Sequence, residues 1–299
     1  MSDKLKPSIK KGCSNPLAEV FGFPPNNQHE VAKRHRTKRL CPFNNKSPGC
    51  TKDKANNPLG VCSISHPECP VITCPIRFRE DWIIANDAAD FFFDSSTKWT
   101  ALTEVRLDDH EGKSAGNVDM VLVAHNDNGK ILDFGAVEIQ AVYISGNARK
   151  PFAYYMKNPN ENGDMDWTNQ PNFPRPDYLS SSRKRLAPQL LFKGGILKSW
   201  DKKMAVVLNK SFFETLPKLE RVNKNEADIV WLLYDQVLVT SQDCSQRWRL
   251  KKVDTIYTKF IQSLQAITTA QPGKIDNFVL RLQKKFNEQF KSDLKKKKK

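Results

Sequence analysis

Two stretches of this chain carry residue types at spacings that could do chemistry. In Val137-Glu138-Ile139-Gln140 an acid and an amide stand two apart in an otherwise apolar run, so on a strand both point to one face. Asp119 is likewise bracketed by apolar residues, in Asn117-Val118-Asp119-Met120-Val121. A turn at Asn126 to Gly129 predicts a hairpin that brings Asp119 beside Glu138. Two converging carboxylates repel, and the simplest way to satisfy both is a hard divalent ion such as Mg²⁺ between them. Glu104, on a preceding strand, could add a third oxygen ligand. Such a site polarises a phosphodiester and activates water, while the Gln140 amide can orient that water or a phosphate oxygen. The open alternative is a buried pair of Glu138 with a Lys or Arg.

The second stretch is a cysteine cluster. Of seven cysteines, Cys41, Cys50, Cys62, Cys69 and Cys74 fall close together, with no other until Cys244. In a cytosolic chain disulfides are disfavoured, so thiolates gathered in a Pro-, Gly- and Asn-containing loop region read as ligands of a tetrahedral structural metal. Four of the five can be ligands, and Zn²⁺ and iron suit thiolates equally. A metal would order residues 40 to 75, which have too few large apolar side chains to do so themselves.

These residues need elements to hold them. Trp82, Ile83, Ala85, Ala89, Phe92 and Phe93 recur at helical spacing, predicting a helix over 80–93. Strands are expected at 99–107, 118–124 and 131–144, then a long polar loop at 157–176. A helical stretch at 182–198 follows, interrupted by Pro188 and by Gly194-Gly195. Alternation returns at 204–208 and 229–234. The C-terminal part reads as helices, carried by Ile256, Phe260, Ile261, Leu264 and Ile267, then Ile275, Phe278, Val279, Leu282 and Phe286. This order is α/β with a mixed central sheet flanked by helices. The expected divisions are an N-terminal segment with the metal module (1–78), a catalytic core (79–240) and a helical region with a basic tail (241–299).

Charge points to the partner. Forty-eight Lys and Arg face 33 Asp and Glu, a net +15 that suits a nucleic-acid polyanion. Lys295 to Lys299 read as a solvated tail. The internal basic clusters are Lys33, Arg34, His35, Arg36, Lys38 and Arg39, and later Arg183, Lys184 and Arg185. The longest apolar runs are far below the ~18 residues a membrane span needs. Met1 to Gly12 is Lys-rich without an apolar core, so a cytoplasmic protein is expected. Gly112-Lys113-Ser114 has Leu107 where a P-loop needs glycine, and the five histidines lie in polar surroundings.

Taken together, the features resemble the NotI-type restriction endonucleases over most of the chain. The resemblance rests on Phe21-Gly22, Cys41-Pro42-Phe43, Cys50, Gly60-Val61-Cys62, Cys74-Pro75, Glu104, Asp119, Val137-Glu138-Ile139-Gln140 and Arg185-Leu186-Ala187-Pro188-Gln189. It implies a PD-(D/E)xK nuclease core in which Gln140 replaces the usual lysine, with Asp119 and Glu138 as Mg²⁺ ligands and Glu104 as a further acid. It also implies that Cys41, Cys50, Cys62 and Cys74 hold the structural metal, iron in that family, leaving Cys69 over. Members act as homodimers on double-stranded DNA at short GC-rich palindromes, as two-fold symmetry requires. A protective DNA methyltransferase is expected in the same cell. The C-terminal third resembles nothing.

Base readout of G·C pairs favours Arg or Lys on guanine. Arg183, Lys184, Arg185 and Gln189 are the candidate DNA contacts, with phosphate contact equally open to the three basic residues. Two rival functions remain at this stage. One is a metal-clipped DNA-binding regulator with an inert nuclease-like core; the other is a structure-selective repair nuclease.

Overall fold

The computed structural model describes residues 14–240, 245–270 and 272–296, with side chains as far as residue 291. Met1 to Gly12, Cys244 and the end of the lysine tail lie outside the described residues. In chain order the elements are β1 (Leu17–Val20), α1 (Glu30–Thr37), β2 (Val61–Ile64), β3 (Val71–Ile72), α2 (Ile83–Phe92), β4 (Trp99–Asp108), β5 (Ser114–His125) and β6 (Ile131–Gln140). There follow β7 (Tyr143–Ser145), α3 (Arg149–Lys157), β8 (Arg175–Asp177), α4 (178–199), β9 (Met204–Asn209) and α5 (Lys210–Phe213). The chain ends with β10 (Ile229–Thr240), β11 (Gln246–Thr258), α6 (Phe260–Thr268) and α7 (Ile275–Lys296).

Six strands form the central sheet in the order β11-β10-β9-β6-β5-β4. The β4-β5-β6 meander and the β10-β11 hairpin are antiparallel, while β9 runs parallel to both β6 and β10. The expected mixed α/β sheet is present. β9 and the first half of β10 read as unbroken apolar runs because both faces are covered. Met120, Leu122, Val137, Ile139, Val207 and Leu232 pack against α2 on one face. Ala136, Val206, Leu208, Trp231 and Leu233 pack with Leu186, Leu190 and Leu197 of α4 on the other. That second core also takes in Leu17, Val20, Phe21, Val61 and Ile64 of the small β1-β2-β3 sheet, so the N-terminal segment shares the sheet's core.

Four expectations change. The third strand ends at Gln140, because Val142 N turns away to donate to Ile72 O (3.0 Å) and Tyr143–Ser145 pairs with β8. Pro188 and Gly194-Gly195 do not break α4. Wide π turns at Ser182–Leu186 and Leu190–Gly194 absorb the missing N–H, and Gly194 gives way to the Phe260 ring, 2.6 Å from where a Cβ would stand. The helix expected over 80–93 starts at Ile83, because Asp81 and Trp82 take positive φ (50° and 55°). The largest miss is β11: residues 246–258 form a strand, and Ile256, assigned to a helical stripe, lies in it. The helix begins only at Phe260, where Asp228 Oδ2 accepts from Phe260 N (3.0 Å). The β10-β11 hairpin therefore carries the central sheet past residue 240.

A buried ionic cluster ties the N-terminal sheet to this hairpin. Arg77, fully buried, donates through Nε to Glu19 (2.7 and 3.0 Å), through Nη1 to Glu80 (2.8 Å) and through Nη2 to Trp248 O (2.8 Å). Its guanidinium also lies 4.2 Å from the Phe43 ring centroid. Leu250 N and Arg249 complete the Glu80 carboxylate, at 2.6 and 2.8 Å. Burial alone would lower the pKa of Arg77, but Glu19 and Glu80 outweigh it and hold the guanidinium charged. No described helix is long and apolar enough to cross a membrane.

Candidate active site at the β5-β6 fork

The β5-β6 ladder runs from His125↔Ile131 up to Met120↔Val137 and stops there. Beyond it β5 pairs only with β4, through Val118↔Val105 and Asn117↔Arg106, and β6 only with β9, through Glu138↔Val206 and Gln140↔Leu208. A fork opens between two strands that are each bonded on their outer sides. Its freed backbone groups must find other partners in a buried setting. Ile139 N donates to Asp119 Oδ2 (2.8 Å), and Asn117 O accepts from Lys193 Nζ (2.6 Å).

The alternation of strand side chains puts Asp119, Glu138 and Gln140 on the face of the sheet covered by α4. The predicted meeting of Asp119 and Glu138 is present: the Asp119 carboxylate acts on Glu138 and raises its pKa. Burial is the larger cause, and together they push Glu138 up to about 8, with Lys193 pulling the other way without cancelling them. Glu138 is 0% exposed. The alternative of a buried basic partner is also realised, because Lys193 Nζ lies 2.9 Å from both Glu138 oxygens. Gln140 is 1% exposed, and neither its amide nitrogen nor its amide oxygen has a hydrogen-bond partner. An unpartnered amide in a buried polar notch is costly unless something binds there.

Glu104 sits differently. The register places it across from Asp119, between Thr103↔Met120 and Val105↔Val118, but a φ of 59° turns its side chain outward. There it pairs with Lys46 (2.7 Å) and, at 3.8 Å, Arg79, and the Lys46 hydrogen bond lowers its pKa. Among the described residues no group of three or more His, Cys, Asp or Glu is placed to hold a metal ion, so Glu104 does not complete a three-acid cluster. Two carboxylates and an amide still fit Mg²⁺, which commonly takes one or two protein carboxylates and fills its remaining positions with water and phosphate.

Lys193 escaped the sequence reading. The clue was available: Leu186, Leu190 and Leu197 are buried at helical spacing, and Lys193 stands in the same stripe, a lone charge on an apolar face. Of the four candidate DNA contacts, Arg183 and Lys184 are exposed. Arg185 is half-buried, its guanidinium 5.2 Å from the Tyr143 ring centroid, and Gln189 keeps a buried Oε1 without a partner. In the front basic cluster Arg36 is a core residue, 2% exposed, donating to Pro24 O (2.8 Å). The other members lie exposed or half-buried on and just after α1.

A profile of the restriction endonuclease NotI family matches residues 27–250. The chain belongs to the NotI restriction endonuclease family. No curated protein matches it. Membership makes the chain a site-specific endonuclease that hydrolyses double-stranded DNA. The match runs from α1 into β11, so the NotI-family region contains the whole fork together with α4.

The described cysteines do not form a closed metal site. Cys41, Cys50, Cys62 and Cys74 act on one another electrostatically: burial pushes Cys41 up to about 12 with Cys74 and Cys50 adding, and burial raises Cys62, helped by Glu19, Cys74, Cys41 and Cys50. Cys69 stands apart, donating to Gln236 O (3.2 Å). Half-buried Lys52 lies near Cys74, Cys62 and Cys50 and donates to Val61 O (2.6 Å) and Thr73 Oγ1 (2.9 Å). The four thiols are not at ligand geometry.

Proposed function

We propose that this protein is a type II restriction endonuclease that cuts both strands of a short GC-rich palindrome in a Mg²⁺-dependent reaction, with the β5-β6 fork as its catalytic centre and the PD-(D/E)xK arrangement as its core. The observation that carries this reading is the fork itself. It holds two mutually repelling acids and a buried amide with both ends free, in a chain of the NotI family.

In this mechanism Asp119 and Glu138 would hold Mg²⁺, which when bound would supply positive charge at the phosphate and lower the pKa of a water. Asp119 is held in place by the hydrogen bond that its Oδ2 accepts from Ile139 N. Gln140 donates through its amide nitrogen to a phosphate oxygen and accepts through its oxygen from the attacking water. The water oxygen bonds to phosphorus and the P–O3′ bond breaks. The attacking water gives up one proton to bulk water and the 3′ oxygen takes one from bulk water, leaving 5′-phosphate and 3′-hydroxyl ends. Arg183, Lys184, Arg185 and Gln189 on α4 meet the DNA beside the fork, and a homodimer presents two forks to the two strands. Cys41, Cys50, Cys62 and Cys74 are the residues that would hold a structural iron or Zn²⁺, as the family resemblance implies, although their thiols do not stand at ligand geometry. The setting is the cytoplasm, with a cognate methyltransferase protecting host DNA without touching this chain.

Digestion of a large viral DNA with Mg²⁺ or with EDTA tests this. Discrete Mg²⁺-dependent fragments whose mapped ends share one GC-rich palindrome are expected, and metal analysis of the same protein should find one iron or zinc per chain. A second reading, a DNA-binding regulator with an inert core, is favoured by the Lys193 ammonium already seated on Glu138. It predicts a gel shift without cutting.

A further inference from the structure

The fork contains one more group than two acids and an amide. Lys193 is 6% exposed and reaches from α4 over Gly116 to the acids, where its Nζ meets both Glu138 oxygens and Asn117 O. The backbone makes room for it: a Cβ on Gly116 would stand 3.3 Å from Lys193 Cε, and Gly116 holds a φ of 105° that disfavours any other residue. Lys193 lies in the π turn Leu190–Gly194. Four-residue steps along this wide-turned helix connect Arg185, Gln189 and Lys193, so a line of donors runs from the half-buried Arg185 to the buried fork. Its middle member has an unpartnered buried oxygen, and its end is bonded to Glu138, two residues from the unpartnered Gln140 amide on the same strand face.

A counter-ion serving only the fold would have each of its donors on a fixed acceptor of the fold, as Arg77 has. Lys193 instead serves a fork whose Gln140 amide is unpaired at both ends. Its ammonium is a compact charge on a flexible stem, able to follow a phosphate across a few ångströms as a planar guanidinium is not. It rests equidistant from the two Glu138 oxygens, at 2.9 Å from each.

We propose that Lys193 is a catalytic residue, whose ammonium passes from Glu138 to the scissile phosphate when Mg²⁺ and DNA enter the fork and there stabilises the charge developing on the non-bridging oxygens. This rests on the reading of the fork as the cutting centre. Lys193 donates hydrogen bonds and transfers no proton.

The test is single-turnover cleavage at saturating enzyme with full-length Lys193→Ala, Lys193→Met and Lys193→Arg, beside Glu138→Ala and wild type. Gel-shift affinity and melting temperature are measured on the same preparations. Lys193→Met keeps the apolar stem packed if the alanine variant fails to fold. The expected result is a rate lower by about 100-fold or more in Lys193→Met, DNA affinity within about threefold of wild type, and partial recovery of rate in Lys193→Arg. A folded Lys193→Met protein that cuts within about threefold of wild type, while Glu138→Ala does not cut, would overturn the role of Lys193 and leave the site intact. Full activity in Glu138→Ala, or none in wild type, would overturn both.

Discussion

Two buried ionic clusters among the described residues differ in how their charged groups are paired. Around Arg77 every guanidinium nitrogen and both flanking carboxylates have partners, down to the Leu250 N–H on Glu80. Around Glu138 a lysine is shared, a like charge stands close by, and Gln140 has no partner at either end of its amide. The first joins the β1-β2-β3 sheet to the β10-β11 hairpin and pairs its charged groups within the fold, although Gln236, which donates to Glu19 (3.1 Å), keeps a buried oxygen unpaired. The second lies where the sheet parts and leaves an amide unpaired at both ends beside two acids. Buried charge by itself does not mark a functional site; acids held close together beside an unpaired amide at a break in the sheet do.

Substitutions that separate the two clusters should have opposite signatures. The largest effect is expected at the fork, where Asp119→Ala should lower cutting by about a thousandfold. DNA binding should hold or strengthen, since a charge that repels phosphate is lost. Arg77→Ala should cost about 3–5 kcal/mol of stability by leaving Glu19 and Glu80 uncompensated, read as a fall in the denaturant midpoint. What cutting survives should track the folded fraction alone. Gln140→Leu should do the reverse of Arg77→Ala: removing an unpartnered amide should raise metal-free stability by about 1 kcal/mol while cutting drops at least tenfold. A Gln140→Leu protein less stable than wild type would show that the fork is already satisfied.

The smallest effect is a proton count. Glu138 lies at about 8 against an ordinary 4.5, so the metal-free protein carries a proton there between those values. That proton contributes stability that is full below 4.5 and lost as the pH rises through about 8. Mg²⁺ needs the ionised form, so its binding should release protons in this window and tighten as the pH rises, which calorimetry in two buffers would measure. Glu80 behaves oppositely. Burial would raise its pKa, but Arg77, Arg249 and Leu250 N outweigh burial and lower it below 4.5. Its contribution is present above 4.5 and lost as the pH falls through the lowered value, so the stability gap between wild type and Glu80→Gln should close in acid.

Much of the fork was legible in the sequence because it is local. A short turn fixes the β5-β6 register, and the two-residue period then sets Asp119, Glu138 and Gln140 on one face. Glu104 was placed on the correct strand, which the register sets across from Asp119, but its positive φ, which sends the side chain to Lys46, has no sequence signal. Lys193 was hidden for a different reason. The contact spans 55 positions and depends on α4 continuing through Pro188, where helix rules end it. β11 was lost to coincidence: Ile256 and Phe260 are four apart, as on a helix, although one ends a strand and the other begins the next helix. The alternation of Trp248 and Leu250 among charged residues was the competing signal.

Incubation of plasmid DNA with wild type and Glu138→Ala in Mg²⁺, with a parallel gel shift, tests most directly that the incomplete cluster is the cutting centre. The expected result is Mg²⁺-dependent linear DNA from wild type and intact but shifted DNA from Glu138→Ala. Equal cutting by both proteins would contradict it.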